Sequence, residues 1–150
     1  MTDKCSISLR LFSEAVGAEA MLSGVGLEAS VTHNKGKPRQ TPKGTPLDGV
    51  YSESFAVFPL VKNDNRWLSE SIKECIARLA HAQNLFTEIK VNGGRAELFI
   101  GWFLSGSSGD ILTSSLLLEV AGLGLDLSFD IYPPDGMEQS AALPTSSRSI

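Results

Sequence analysis

At 150 residues, 42% apolar and 20% charged, the chain has the size and composition of one soluble globular domain. Its net charge of −4 argues against a nucleic-acid partner, since nucleic-acid binders show a basic footprint. Nowhere does an apolar run reach the roughly 18 residues of a membrane-spanning helix, so no membrane partner is expected.

In chain order, residues 5–12, CSISLRLF, alternate. Ile7, Leu9 and Leu11 take one side, and Ser6, Ser8 and Arg10 the other, which predicts a half-buried strand. Ser8 and Arg10 also interrupt any apolar core here, so no secretory leader is expected. Ser13 is placed to cap a helix, with Glu14 in its first turn, Val16, Ala20 and Met21 on one face, and Gly24 and Gly26 at its end. A strand from about Ala29 leads into a basic loop. Residues 52–62, SESFAVFPLVK, read as a strand, with Pro59 at an edge or bulge.

After NDN, Leu68, Ile72, Cys75, Ile76 and Leu79 recur at three and four residues, which predicts an amphipathic helix with Cys75 in the core. A second helical piece carries Leu85, Phe86 and Ile89 and ends at NGG, residues 92–94. In RAELFIGWFL, residues 95–104, Ala96, Leu98, Ile100 and Trp102 share one face, with Glu97, Phe99 and Phe103 on the other. A Ser/Gly loop spans 105–109. Thr113 caps a short helix containing Leu116, Leu117, Val120 and Leu123. LDLSFDIY, residues 125–132, places Leu125, Leu127, Phe129 and Ile131 on one face.

The order β-α-β-β-α-β-α-β predicts an α+β fold. Its expected form is a largely antiparallel sheet with helices on one face, a variant of the ferredoxin-like arrangement. One domain is expected over residues 1–134, followed by a loosely ordered tail over 135–150. The strands are expected to contribute Ile7, Leu9, Leu98, Ile100, Leu127, Phe129 and Ile131 to a single core. These face Ile72, Leu79, Leu117 and Val120.

Four stretches together resemble one family: GVGLEAS after the first helix, NKGKP, WLSESIKECIARLA, and ILTSSLLLEVAGLGLDLSFDIY. The chain resembles the small, mainly bacterial family called domain of unknown function 4279, over about residues 5–132. The last helix running into LDLSFDIY is the most specific part. Phe55 stands where the family pattern tends to place a tryptophan. The resemblance implies a compact α+β domain and carries no activity with it.

Lys35, Lys37, Arg39 and Lys43 form the densest basic stretch, within THNKGKPRQTPKGTP, residues 32–46. Gly36 and Gly44 leave its backbone free to turn toward an anion. The P-loop spacing is absent, and Pro38, Pro42 and Pro46 remove amide donors, so a solvated strand-to-strand connection without regular structure is the simpler expectation. The second candidate is the sheet face away from the helices, with Arg10, Glu97, Phe99, Phe103, Asp126, Asp130 and Tyr132. Asp126 and Asp130 stand roughly 13 Å apart along a strand, too far to share a proton. Arg10 is expected to pair with a carboxylate across strands.

His33, His81, Cys5 and Cys75 show no ligand spacing, so neither metal nor cofactor is expected. Two thiols without such a pattern fit a reducing cytoplasm. The aromatic residues lack the RNA-recognition consensus, and SGSSG at 105–109 lacks the spacing of a nucleophile elbow. These readings point to a non-enzymatic cytoplasmic domain that binds a protein. The partner is its own copy or, in an immunity-type role, a basic toxin that it covers. The alternative is a small-anion sensor or enzyme built on residues 33–46.

Overall fold

A computed structural model describes residues 3–134; the tail expected at 135–150 lies outside the described residues. The chain runs through β1 (Lys4–Ser13), α1 (Ala18–Val25), β2 (Val31–His33), β3 (Pro38–Gln40), β4 (Pro46–Val50) and β5 (Ser54–Asp64). It continues through α2 (Leu68–Leu79), α3 (Gln83–Val91), β6 (Arg95–Phe103), α4 (Ser114–Gly122) and β7 (Asp126–Tyr132). A single 3-10 turn, Ala80–Ala82, joins α2 to α3.

Five strands form the main sheet in the order β2-β5-β1-β6-β7, and β3 pairs with β4 in a separate hairpin. β1 lies at the centre because it alternates most strictly: Cys5, Ile7, Leu9 and Leu11 are buried, and Ser6, Ser8 and Arg10 are half-buried between neighbours on both sides. It runs antiparallel to β5 and to β6, and β2 runs antiparallel to β5. β7 lies parallel to β6. The fold is therefore α+β with a mixed sheet, and the ferredoxin-like order is not found. The cause is α4, which carries the chain back so that β7 starts at the same end of the sheet as β6. Pro59 lies beside a β-bulge, where the register steps from Ser8↔Pro59 to Ile7↔Val61.

One face of the sheet carries all the helices. Ile7, Leu9, Leu11, Ala56, Phe58, Leu98 and Ile100 from the strands meet Met21, Ile72, Cys75, Leu79, Phe86 and Ile89 from the helices in one core. The amphipathic spacing of α2 places Leu68, Ile72, Cys75, Ile76 and Leu79 inward, as its sequence requires. Gly94 allows the α3–β6 turn to close: a Cβ there would meet the Phe12 carbonyl oxygen at 2.4 Å.

Three expected core residues are not core. Phe129 is 36% exposed, Ile131 56% and Leu117 43%. Phe129 and Ile131 do lie in phase with Ile100 and Trp102, on the helix side. But β7 is the outermost strand, and the helix layer stops short of its far end. On α4 the inward residues are Leu116 and Val120, and Leu117 is turned about 100° away from Leu116. Leu127, nearer the start of β7, packs half-buried against the core.

The first helix also starts later than expected. Ser13 ends β1 fully buried, and its Oγ accepts from the amides of Ala15 (3.2 Å) and Val16 (2.9 Å), so it shapes a turn and caps no helix. Gly17 is the N-cap, and the Ala18 amide donates instead to Asn34 Oδ1 at 2.9 Å. Val16 therefore precedes α1, Ala20 is exposed, and Gly24 lies within the helix, whose inward residues are Ala18, Met21 and Val25. Two cap signals do hold. Thr113 Oγ1 accepts from the Leu116 amide, and Gly26, at φ 69°, closes α1.

Candidate functional site

The helix-free face of the sheet is built from the alternate residues of the same strands. In register across it stand Val57, Arg10, Glu97 and Asp126 in one row, and His33, Phe55, Phe12 and Arg95 in another. The second row is a continuous stack that Tyr51 extends. His33 lies on Tyr51 (3.7 Å between ring centres) and near Phe55 (5.0 Å); Phe55 meets Phe12 (4.7 Å), and the Arg95 guanidinium lies 3.8 Å from the Phe12 ring centre. Burial lowers the His33 pKa, which keeps its imidazole neutral near pH 7.

In the first row the expected ion pair is absent. Arg10 stands opposite Glu97, yet its guanidinium lies 3.6 Å from the Phe99 ring centre; among the described residues the ion pairs are those of Arg66 with Asp64 and Glu74. A planar, weakly hydrated guanidinium on a half-buried sheet face gains from an aromatic surface. Arg10 Nε is buried with no hydrogen-bond partner in the protein. Beyond it, Glu97 lies directly beside Asp126, two acids adjacent across strands. At the far end Phe103 and Tyr132 stack at 4.6 Å, and the Tyr132 hydroxyl donates to Asp130 at 3.3 Å. All seven residues singled out on this face do share it.

The basic stretch is not an irregular loop. β3 and β4 pair across it, and Tyr51 holds its base: the Tyr51 amide donates to the Lys37 carbonyl, and the Tyr51 hydroxyl bridges the Gln40 amide and carbonyl. Lys35, Lys37, Arg39 and Lys43 are exposed, and Arg39 donates to the Asp48 carbonyl at 3.2 Å. A smaller cavity of about 250 Å³ beside the hairpin is lined by Phe12, His33, Tyr51 and Glu53 among others, and by none of the four basic residues.

A larger cavity of about 440 Å³ opens on the helix side, where β6 ends and α2 begins. Trp67, Trp102, Arg66, Asp3, Glu70 and Asp110 line it, and these include both tryptophans of the chain. Local spacing gives no sign of it, because its walls come from four separate segments. The one available signal was the pairing of two scarce tryptophans with Ser/Gly and Asp-rich turns. Asp3 accepts from the Ser105 amide (2.8 Å) and hydroxyl (2.9 Å) and from the Ser108 hydroxyl, the last being the main reason its pKa is lowered. Burial pushes the Asp110 carboxyl up, but the amides of Ser69 and Ile111, each at 2.7 Å, hold it below the ordinary value. Arg66 is engaged by Asp64 (Nε–Oδ2 2.8 Å) and Glu74 (3.3 Å).

Among the described residues no cluster of His, Cys, Asp or Glu is arranged to hold a metal ion, and no helix is long and apolar enough to cross a membrane. No curated protein and no solved structure matches the chain. A family model, described as Domain of unknown function (DUF4279), matches residues 3–134, the whole of the described fold. The chain belongs to that family.

Proposed function

We propose that this is a non-enzymatic protein-binding domain that works through the helix-free face of its sheet, and that the occupant of that face is a second copy of the chain. The observation that supports it is the Arg10 row. A half-buried arginine with an unpartnered Nε lies on Phe99, beside two adjacent acids that form no ion pair among the described residues. Arginine and aromatic residues are the side chains most enriched at protein interfaces.

Charge on this face is also split. Asp126 and Asp130 lie on β7 at one edge, and the basic hairpin leaves the sheet at the other, between β2 and β5. A two-fold axis parallel to the strands lays the acidic edge of each copy over the basic edge of the other. Five strands about 4.8 Å apart and on average about 26 Å long, β2 being the shortest at three residues, offer roughly 600 Å² per copy, and about 1,200 Å² in total reaches the lower end of specific interfaces. Two free cysteines suit a cytoplasmic setting for this pairing.

Sedimentation equilibrium tests it. The chain is expected to dimerise below about 100 μM at low salt, and to dissociate more readily as salt rises. Replacing Asp126 and Asp130 together by Lys should weaken the dimer by an order of magnitude or more. A chain that stays monomeric throughout that range removes the second copy as the occupant.

A further inference from the structure

The larger cavity lies on the opposite side of the sheet from the proposed interface, since Trp102 is in phase with Leu98 and Ile100 on the helix side. We propose that it is a binding site for a small organic cation of the ammonium class, which sits against the indole rings of Trp67 and Trp102 and among the carboxylates of Asp3, Glu70 and Asp110.

Three features carry this. The first is the walls. Trp67 is 62% exposed at the start of α2, where it serves as N-cap residue without any side-chain capping bond. A large indole left so open is not there for the core, and its place on the rim of a cavity gives it a surface to offer. Trp102, half-buried, supplies the second ring. Aromatic faces attract a cation through their quadrupole, tryptophan most strongly.

The second feature is the charge. Three carboxylates line the cavity against one guanidinium. That guanidinium already pairs with Asp64 and Glu74 through Nε and Nη2, so its charge is compensated and does little to favour an anion. Asp3 and Asp110 are held ionised by hydrogen bonds from serines and backbone amides; Asp3 Oδ2 and both Asp110 oxygens each accept one of these and keep a lone pair for a further contact, whereas Asp3 Oδ1 accepts two. The α2 N-terminus contributes a partial positive charge of about +0.5, which Asp110 and Glu70, at its first turn, more than offset.

The third feature is the place. The cavity lies where β6 leaves the sheet at its carboxyl end and passes through residues 104–113 to α4, ahead of the parallel strand β7. Crevices outside the carboxyl ends of strands that feed such crossovers are where open sheets hold ligands. A volume of about 440 Å³ is within the range of small-molecule sites.

The probes are choline and its neutral isostere, in which a carbon replaces the charged nitrogen, added to the full chain. The readout is the pair of tryptophan indole N–H resonances. Choline is expected to shift both resonances saturably, in the millimolar range or tighter, and the isostere to leave them in place. Glu70→Gln and Trp67→Ala each change an exposed side chain, so both variants should keep the wild-type spectrum elsewhere. Each should weaken choline binding several-fold. Equal shifts from both probes, or no saturable shift from choline up to about 50 mM, would overturn the proposal. The proposed dimer, tested by sedimentation, is a separate matter and does not depend on either result.

Discussion

Arg10 stands directly opposite Glu97 in the β1–β6 register, yet its guanidinium lies over the ring of Phe99, 3.6 Å from the ring centre, and forms no ion pair with the carboxylate. The arginine is thus held by an aromatic surface on its own sheet face. Its charge stays available to a partner.

A double-mutant cycle should show this directly. Arg10→Gln and Phe99→Leu should couple by about 0.5–2 kcal/mol in urea denaturation, as expected for a partly desolvated cation on an aromatic ring. Glu97→Gln should change stability by no more than about 0.5 kcal/mol. A Glu97–Arg10 coupling larger than the Phe99–Arg10 coupling would mean that the two charges pair in solution.

The core makes a second contrast. Ile100 is fully buried, and Ile131, two registers along on the neighbouring strand and in the same phase, is 56% exposed. Ile100→Ala should cost about 2–5 kcal/mol by loss of buried area plus a cavity. Ile131→Ala should cost less than about 1 kcal/mol, since most of its surface stays in water. Equal losses in denaturation midpoint would place a cover over the end of β7.

That contrast marks how far the sequence can be read. Period two located β1, β6 and β7, and period 3.6 located α2 with its inward residues, because those patterns are local. Whether Ile131 is covered depends on which strand lies at the edge, and alternation within LDLSFDIY does not say that. The β3–β4 hairpin was hidden for a related reason. Its strands are short and exposed on every residue, Pro38 and Pro46 begin them and Pro42 lies between them, so no buried face marks them. The seven residues on the open face of the sheet were legible, since phase alone places them. The tryptophan cavity was not, because Asp3, Trp67, Trp102 and Asp110 meet only after folding.

The two cysteines set a pH dependence. Burial pushes the Cys75 thiol up to about 12, and burial likewise raises Cys5. Both thiols are therefore protonated in the folded chain at neutral pH and unreactive. A thiol whose folded value lies above its unfolded value of about 8.5 contributes stability that is fully present below that pH. The contribution is lost as pH rises toward the folded value. Unfolding free energy should fall from about pH 8.5 upward, and Cys75→Ala should flatten that fall while lowering the plateau. A disulfide-exchange reagent should label both thiols only as fast as the chain opens. Rapid labelling of native protein at pH 8 would show a thiol at the surface.

The basic hairpin joins fold and encounter in one segment, and the two roles separate by residue. Its backbone is fixed by Tyr51, whose hydroxyl bridges Gln40 and whose ring lies on His33. Its root is fixed by Asn34, whose Oδ1 accepts from the Ala18 amide and from Ser54 Oγ. None of these contacts uses a lysine ammonium. Lys35, Lys37, Arg39 and Lys43 make no ion pair among the described residues, and Arg39 donates only to an exposed carbonyl. Replacing all four by Gln should therefore leave the denaturation midpoint nearly unchanged, since exposed charges contribute little. The same change should slow dimer formation, most strongly at low salt, because at physiological ionic strength charge acts over only about 8 Å. Tyr51→Phe should do the reverse. It keeps the ring and removes the hydroxyl, so it should speed hydrogen exchange at the Gln40 amide and leave the association rate alone. If the fourfold Gln variant instead unfolds early, the four side chains belong to the fold, and the basic edge of the sheet is not the one that Asp126 and Asp130 of a second copy would meet.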